Sequence, residues 1–165
     1  MAPEFTLEDT RGNQVKLADH KGRLVVLLFA SQATQEASAK AASGLGKRLL
    51  QNPKVDMFTI VSLPKMFKMM AMGVLKSSQQ KALEGARKRF EKEGAAVPAD
   101  LEKRIFILPD WDAALVKQYG FDPKAKAVHL ALVGLDGAVA ASFSEPDGDR
   151  LAETASEKAL SLLGP

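Results

Sequence analysis

Leu24-Val25-Val26-Leu27-Leu28-Phe29-Ala30 is the longest apolar run in the chain. It has the length of a strand and falls far short of the ~20 residues that span a bilayer. A strand with one wet face alternates apolar and polar residues, whereas one lacking polar residues on either side needs cover on both. The run therefore predicts a central strand, Leu24–Phe29, in a sheet held between two layers.

The rest of the chain supplies that sheet and those layers. Val55–Leu63 reads as a second strand stopped by Pro64, Arg104–Leu108 as a third and Val128–Leu135 as a fourth. Asp136-Gly137 is a hairpin signal leading into Val139–Phe143. Phe5-Thr6-Leu7 and Val15-Lys16-Leu17 alternate on either side of an Arg11-Gly12-Asn13 turn, the pattern of a small hairpin. Thr34 stands where it can cap a helix, with Glu36 near the positive end, and Ala37, Ala41, Leu45 and Leu49 repeat every four residues as one buried face. Gly44 and Gly46 in that helix predict close backbone packing or a kink. Two crossover helices are expected, Met66–Leu75 and Ser77–Glu93, the second burying Leu83, Ala86 and Phe90. Asp110-Trp111-Asp112 opens a short helix ending at Gly120, and Asp147-Gly148-Asp149 starts a last one carrying Leu151, Ala155, Ala159 and Leu163. Strands alternating with helices imply one α/β domain over residues 1–165, with an enlarged helical crossover at 64–102.

The chain contains no cysteine, which removes disulfides, thiolate nucleophiles and thiolate metal sites. Its net charge of +3 is unevenly spread. Lys65 to Arg104 holds ten basic residues against five acidic, while Gly134 to Pro165 holds two against six. Nucleic acid is a poor match for the basic stretch, because Phe67 and Phe90 are its only aromatics for base stacking. Met1-Ala2-Pro3 leads straight into an acidic and apolar stretch with no basic segment and apolar leader. A cytoplasmic location is the expectation, with the periplasm as the alternative if a leader is removed.

A family resemblance emerges from these residues. Ala2 to Asp9, Gly12, and Val15 through Lys21-Gly22-Arg23 into Leu24–Ser31 closely resemble the opening of the peroxiredoxin and TlpA-type (AhpC/TSA-like) thioredoxin superfamily. Leu130–Gly137 into Ala138-Val139 is similar to that family's last hairpin, and Ala114–Gly120 to the short helix before it. The resemblance implies a thioredoxin-like three-layer α/β/α fold with a central mixed sheet, and it leaves out the Pro64–Glu102 segment. The pattern is also similar to a cysteine-less bacterial branch of unknown function, often exported.

At the family's active-site positions the residues depart. In a TlpA-like register Ala33 and Glu36 stand where the two redox cysteines would be. In a peroxiredoxin-like register Thr34 matches the motif threonine, and Ala37 replaces the peroxidatic cysteine. Thioredoxins carry a cis-proline just before the strand equivalent to His129–Val133; here that position falls near Val128, and Pro123 is the nearest proline. The arginine that peroxiredoxins place there is missing as well. Both chemistries need a thiolate, so the resemblance implies a member without redox activity.

Met66, Met69, Met70 and Met72 concentrate four of six methionines into seven residues. The expected role is a crossover helix packed over the sheet, since methionine fills irregular gaps. Two others stay open: an adaptable partner-binding surface framed by Lys65, Lys68 and Lys76, and Cu(I) held by thioethers. His20 is expected to be solvated and His129 to be a satisfied structural residue. Asp110 and Asp112 can coordinate a cation, but capping explains them more simply. The functional expectation is a non-redox binding module with no cofactor. It would use the degenerate face (Gln32–Glu36, Val128, His129) or the methionine-rich crossover, with Lys81, Lys88 and Lys92 facing an acidic protein or an anionic surface. The alternatives are an enzyme using Glu36 or His129 as acid–base group, and a methionine-based copper carrier.

Overall fold

The computed structural model describes residues 1–165. In chain order the elements are β1 (Thr6–Glu8), β2 (Gln14–Lys16), β3 (Leu24–Ala30), α1 (Gln35–Leu49), β4 (Val55–Leu63), α2 (Lys68–Lys92), β5 (Ile105–Trp111), α3 (Ala114–Gln118), β6 (Val128–Val133), β7 (Val139–Glu145) and α4 (Gly148–Leu163). The main sheet runs β5-β4-β3-β6-β7, and β1-β2 form a separate hairpin. β3, β4 and β5 are parallel, whereas β6 is antiparallel to β3 and β7 to β6.

Every residue of β3 is buried, and its alternating side chains divide between two cores. Leu24, Val26 and Leu28 pack with Leu45 of α1, Leu83 and Phe90 of α2 and Leu151 of α4. Val25, Leu27 and Phe29 pack on the other face with Val15, Leu17, Leu115 and Val116. The apolar run of the central strand thus serves two layers at once, as its composition requires.

The α1–α4 contact accounts for Gly44 and Gly148, while Gly46 lies against the Arg89 side chain of α2. A Cβ on Gly44 would stand 2.7 Å from that of Ala152, and one on Gly148 would collide with the Ala37 carbonyl. No kink accompanies them: α1 runs unbroken from Gln35 to Leu49.

Three local expectations change. The crossover is a single helix of 25 residues rather than two, because nothing between Leu75 and Ser77 breaks the backbone ladder. β5 continues through Pro109 to Trp111: it is an edge strand, so the missing N–H costs no ladder bond on its open side. Asp110 to Asp112 therefore ends a strand instead of opening a helix, and Asp112 and Ala113 turn the corner with φ of 58° and 56°.

His20 is not solvated. Its Nδ1 lies 2.7 Å from Asp56 Oδ2, and its ring meets Phe58 and Phe106 edge-on. Asp56 is fully buried and also accepts from Arg23 Nε at 2.6 Å. Beside it Arg104, buried as well, donates to the Val55, Leu50 and Asn52 carbonyls.

Candidate binding face at the degenerate active-site turn

The turn from β3 into α1 is closed by its own hydroxyls. Ser31 N–H donates to Thr34 Oγ1 at 3.0 Å, and Thr34 N–H donates to the Ser31 carbonyl at 3.1 Å. Thr34 is buried and shares a 3.1 Å contact with Ser38 Oγ. Its side chain makes no capping bond to α1, contrary to the sequence expectation, because it is used within the turn. Gln32, Ala33 and Glu36 are exposed, and Glu36 forms a surface pair with Lys40. Ala37 is half-buried beneath Gly148.

Behind this turn stands His129 on β6. Its Nε2 lies 3.0 Å from the Asp122 carbonyl, which can only accept, so in the neutral ring Nε2 carries the proton. Nδ1 then accepts from Ser144 Oγ at 2.7 Å. Phe121 stacks on the ring at 4.6 Å. Both nitrogens are spent, as expected of a structural histidine. The crevice joining His129 to Ser31 and Thr34 holds about 10 Å³, room for one water and no substrate. Val128 is fully buried and pairs with Glu145, and the backbone contains no cis peptide. Glu36 points to solvent on α1, and both ring nitrogens of His129 have partners within the fold.

In front of the turn lies a wide-mouthed groove of about 680 Å³. It is lined by Ser31, Gln32 and Ala33 of the turn, by Ser62, Leu63 and Pro64 at the end of β4, and by Asp112, Ala113, Pro123 and Lys124. The far wall is strained and firmly held. Two successive non-glycine residues at positive φ cost about 1–3 kcal/mol each and persist only where the surroundings over-determine them. Asp110 supplies that restraint: its carboxylate accepts from Leu115 N–H at 2.9 Å and Val116 N–H at 3.0 Å. The capping role expected of Asp110 is therefore observed. Asp112 N–H donates to the Leu63 carbonyl, and Asp112 Oδ1 accepts from Lys65 N–H at 3.1 Å. The groove wall and the entry to α2 are thus tied together.

The groove brings Gln32 and Ala33 together with Asp112, and it adds Ser62, Leu63, Pro123 and Lys124, which the sequence reading did not single out as site residues. Only the pairing of β4 with β5 brings Ser62 opposite Asp110 and Leu63 opposite Trp111. The one legible signal was Pro64, which ends β4 at the rim.

The methionine-rich segment overturns the packing expectation. Met66 is 84% exposed, Met69 94% and Met70 77%, while Phe67 and Val74 are also exposed. No residue from Pro64 to Val74 is buried, and Leu75 is the first side chain of α2 to reach the core. Met72 is half-buried. The segment precedes the place where α2 meets the body, so local apolarity found nothing to pack on. Lys81, Lys88 and Lys92 are exposed further along the same helix, with Lys88 paired to Glu84. Phe90 is buried, which leaves Phe67 as the one exposed aromatic of the basic segment.

No group of three or more acidic, histidine or cysteine side chains is arranged to hold a metal ion. No helix is long and apolar enough to cross a membrane.

No family model matches the chain, and no curated protein does. Solved structures do. The exposed lipoprotein thioredoxin of Streptococcus pneumoniae superposes with a TM-score of 0.57 at 16% identity, covering 94% of this chain and 99% of that one. A secreted disulfide oxidoreductase of Mycobacterium tuberculosis gives 0.56 at 17% identity, over 94% and 96%. The bacterioferritin comigratory protein of Xanthomonas campestris, described with alkyl peroxide reduction activity, gives 0.57 at 14% identity, over 94% and 89%. The chain has the thioredoxin-like fold and contains no cysteine.

Proposed function

We propose that residues 1–165 form one non-redox binding module, a thioredoxin-like scaffold whose groove takes an extended segment of a partner protein. The observation that carries this reading is the open groove of about 680 Å³ between Gln32–Ala33 and Asp112–Ala113, lined by hydroxyl, amide, carboxylate, lysine, proline and aliphatic groups and braced by Asp110. An enzyme site needs a concave pocket with convergent polar groups. Here the acid–base candidates are separated, one in solvent and one fully bonded. Seryl, glutaminyl and backbone groups along an open trough suit a segment in extended conformation, with Lys124 favouring an acidic residue in it.

A photoactivatable cross-linker at Gln32 tests this, with the same group at exposed Lys158 on α4 as control. Enrichment of one partner, mapped to a defined segment, from Gln32 alone supports the reading. Equal labelling from both sites overturns it. Ala33→Trp, which fills the groove from an exposed position, should abolish the cross-link without changing the melting temperature.

A further inference from the structure

The overhanging start of α2 has features that the groove does not use. Leu75, Gln79, Leu83, Ala86 and Phe90 mark the side of α2 that faces the body. At about 100° per residue, Met70 and Val74 fall on the opposite side, Met69 lies on the flank and Met66 precedes the helix; all four are exposed. Their exposed area amounts to several hundred Å², the size at which an apolar patch marks an interaction surface. From Pro64 to Leu83 there is no acidic residue, while Lys65, Lys68, Lys76 and Lys81 are all exposed. Lys81, Lys88 and Lys92 continue along the outward side, with Glu84 among them paired to Lys88.

We infer that this outer face of α2 seats the protein on an anionic lipid surface. Two properties favour lipid over a second protein. Apart from Lys68, the stretch Met66–Leu75 has no side chain able to form a strong hydrogen bond. Recognition there rests on apolar contact and positive charge alone. Protein interfaces carry about one hydrogen bond per 100–200 Å², whereas a bilayer interface offers just those two forces. The start of the helix is also open to a surrounding medium: no residue from Pro64 to Val74 is buried. Neither force suffices alone, and apolar insertion joined to a basic patch is the two-signal combination that holds a protein at a membrane. No helix can span, so the contact is interfacial.

The test is co-sedimentation of the full chain with vesicles of phosphatidylcholine alone or mixed with phosphatidylglycerol, at low and high salt. Binding is expected to the mixed vesicles only, and to weaken as salt shortens the Debye length from ~10 Å at 0.1 M toward ~3 Å at 1 M. Met69→Asp with Met70→Asp should lower partition at least about tenfold, and the triple variant Lys81→Glu, Lys88→Glu, Lys92→Glu by a similar factor. The methionine variant should melt with the wild type, since both side chains are exposed, while the lysine variant loses the Lys88–Glu84 pair and should melt only slightly lower. Absence of binding to the mixed vesicles at low salt overturns the inference, as does equal binding to neutral vesicles or undiminished binding by the methionine variant. Capture of an acidic amphipathic peptide by this face without vesicle binding assigns it to protein instead. The groove proposal stands or falls separately, on the Gln32 cross-link.

Discussion

His20 Nδ1 lies 2.7 Å from Asp56 Oδ2, joining the turn before β3 to the start of β4 across 36 residues. Burial opposes the Asp56 charge, but hydrogen bonds from His20 and Arg23 outweigh it and hold the carboxyl below its ordinary range. A depressed folded-state pKa contributes stability that is complete above the unfolded value and lost as pH falls through the folded one. Urea midpoints should therefore decline on the acid side, below about pH 4. Asp56→Asn should cost about 3–5 kcal/mol at neutral pH, because it leaves Arg104 and Arg23 without their carboxylate. The variant should also lose part of the acid slope. A midpoint unchanged at pH 7 would show that the cluster contributes nothing.

The edge of β5 is closed by one side chain. Gln79 of α2 donates from Nε2 to the Ile105 carbonyl at 2.8 Å and accepts from Ile107 N–H at 2.6 Å, imitating an added strand. Gln79→Leu leaves both backbone groups buried without partners and should cost about 1–3 kcal/mol for each. Hydrogen exchange at the Ile107 amide should speed up more than at amides of β3.

Glycines in two helices should respond with opposite signs. Gly148→Ala forces a methyl onto the Ala37 carbonyl and should destabilise by about 1–3 kcal/mol, read from denaturant midpoints. Gly73 is exposed, with no atom near a built Cβ. Gly73→Ala should stabilise by about 0.5–1 kcal/mol through helix propensity. A loss at Gly73 would mean that the overhanging turn is not helical in solution.

Redox assays check the missing thiol. The wild type should reduce neither insulin nor peroxide in a thiol-dependent way above a buffer blank. Ala33→Cys with Glu36→Cys places two exposed thiols at the start of α1, and these should titrate with a thiol reagent. Turnover should stay far below that of a thioredoxin, since no proline stands beside Val128 to receive a substrate. Activity near a true thioredoxin would overturn this account of the substrate side.

Composition and pattern determined the layers of this protein on their own. An aliphatic run with no polar break leaves a strand one stable environment, between two apolar layers, and Leu24–Ala30 occupies it. Gly44 marked a close helix contact, and Asp136-Gly137 a hairpin, because each depends on local backbone geometry. The missing cysteine likewise leaves this chain without a thiol of its own. What tertiary structure alone decided is where a side chain meets solvent. Met66–Val74 reads as core because its residues are apolar, yet burial depends on whether another element lies opposite, and α2 reaches the body only at Leu75. His20 reads as a surface histidine, yet Asp56, Phe58 and Phe106 arrive around it from strands far along the chain. The groove has the same origin: Gln32, Leu63 and Asp112 carry no shared local signal, and they line one trough only because parallel pairing brings three chain segments to one end of the sheet.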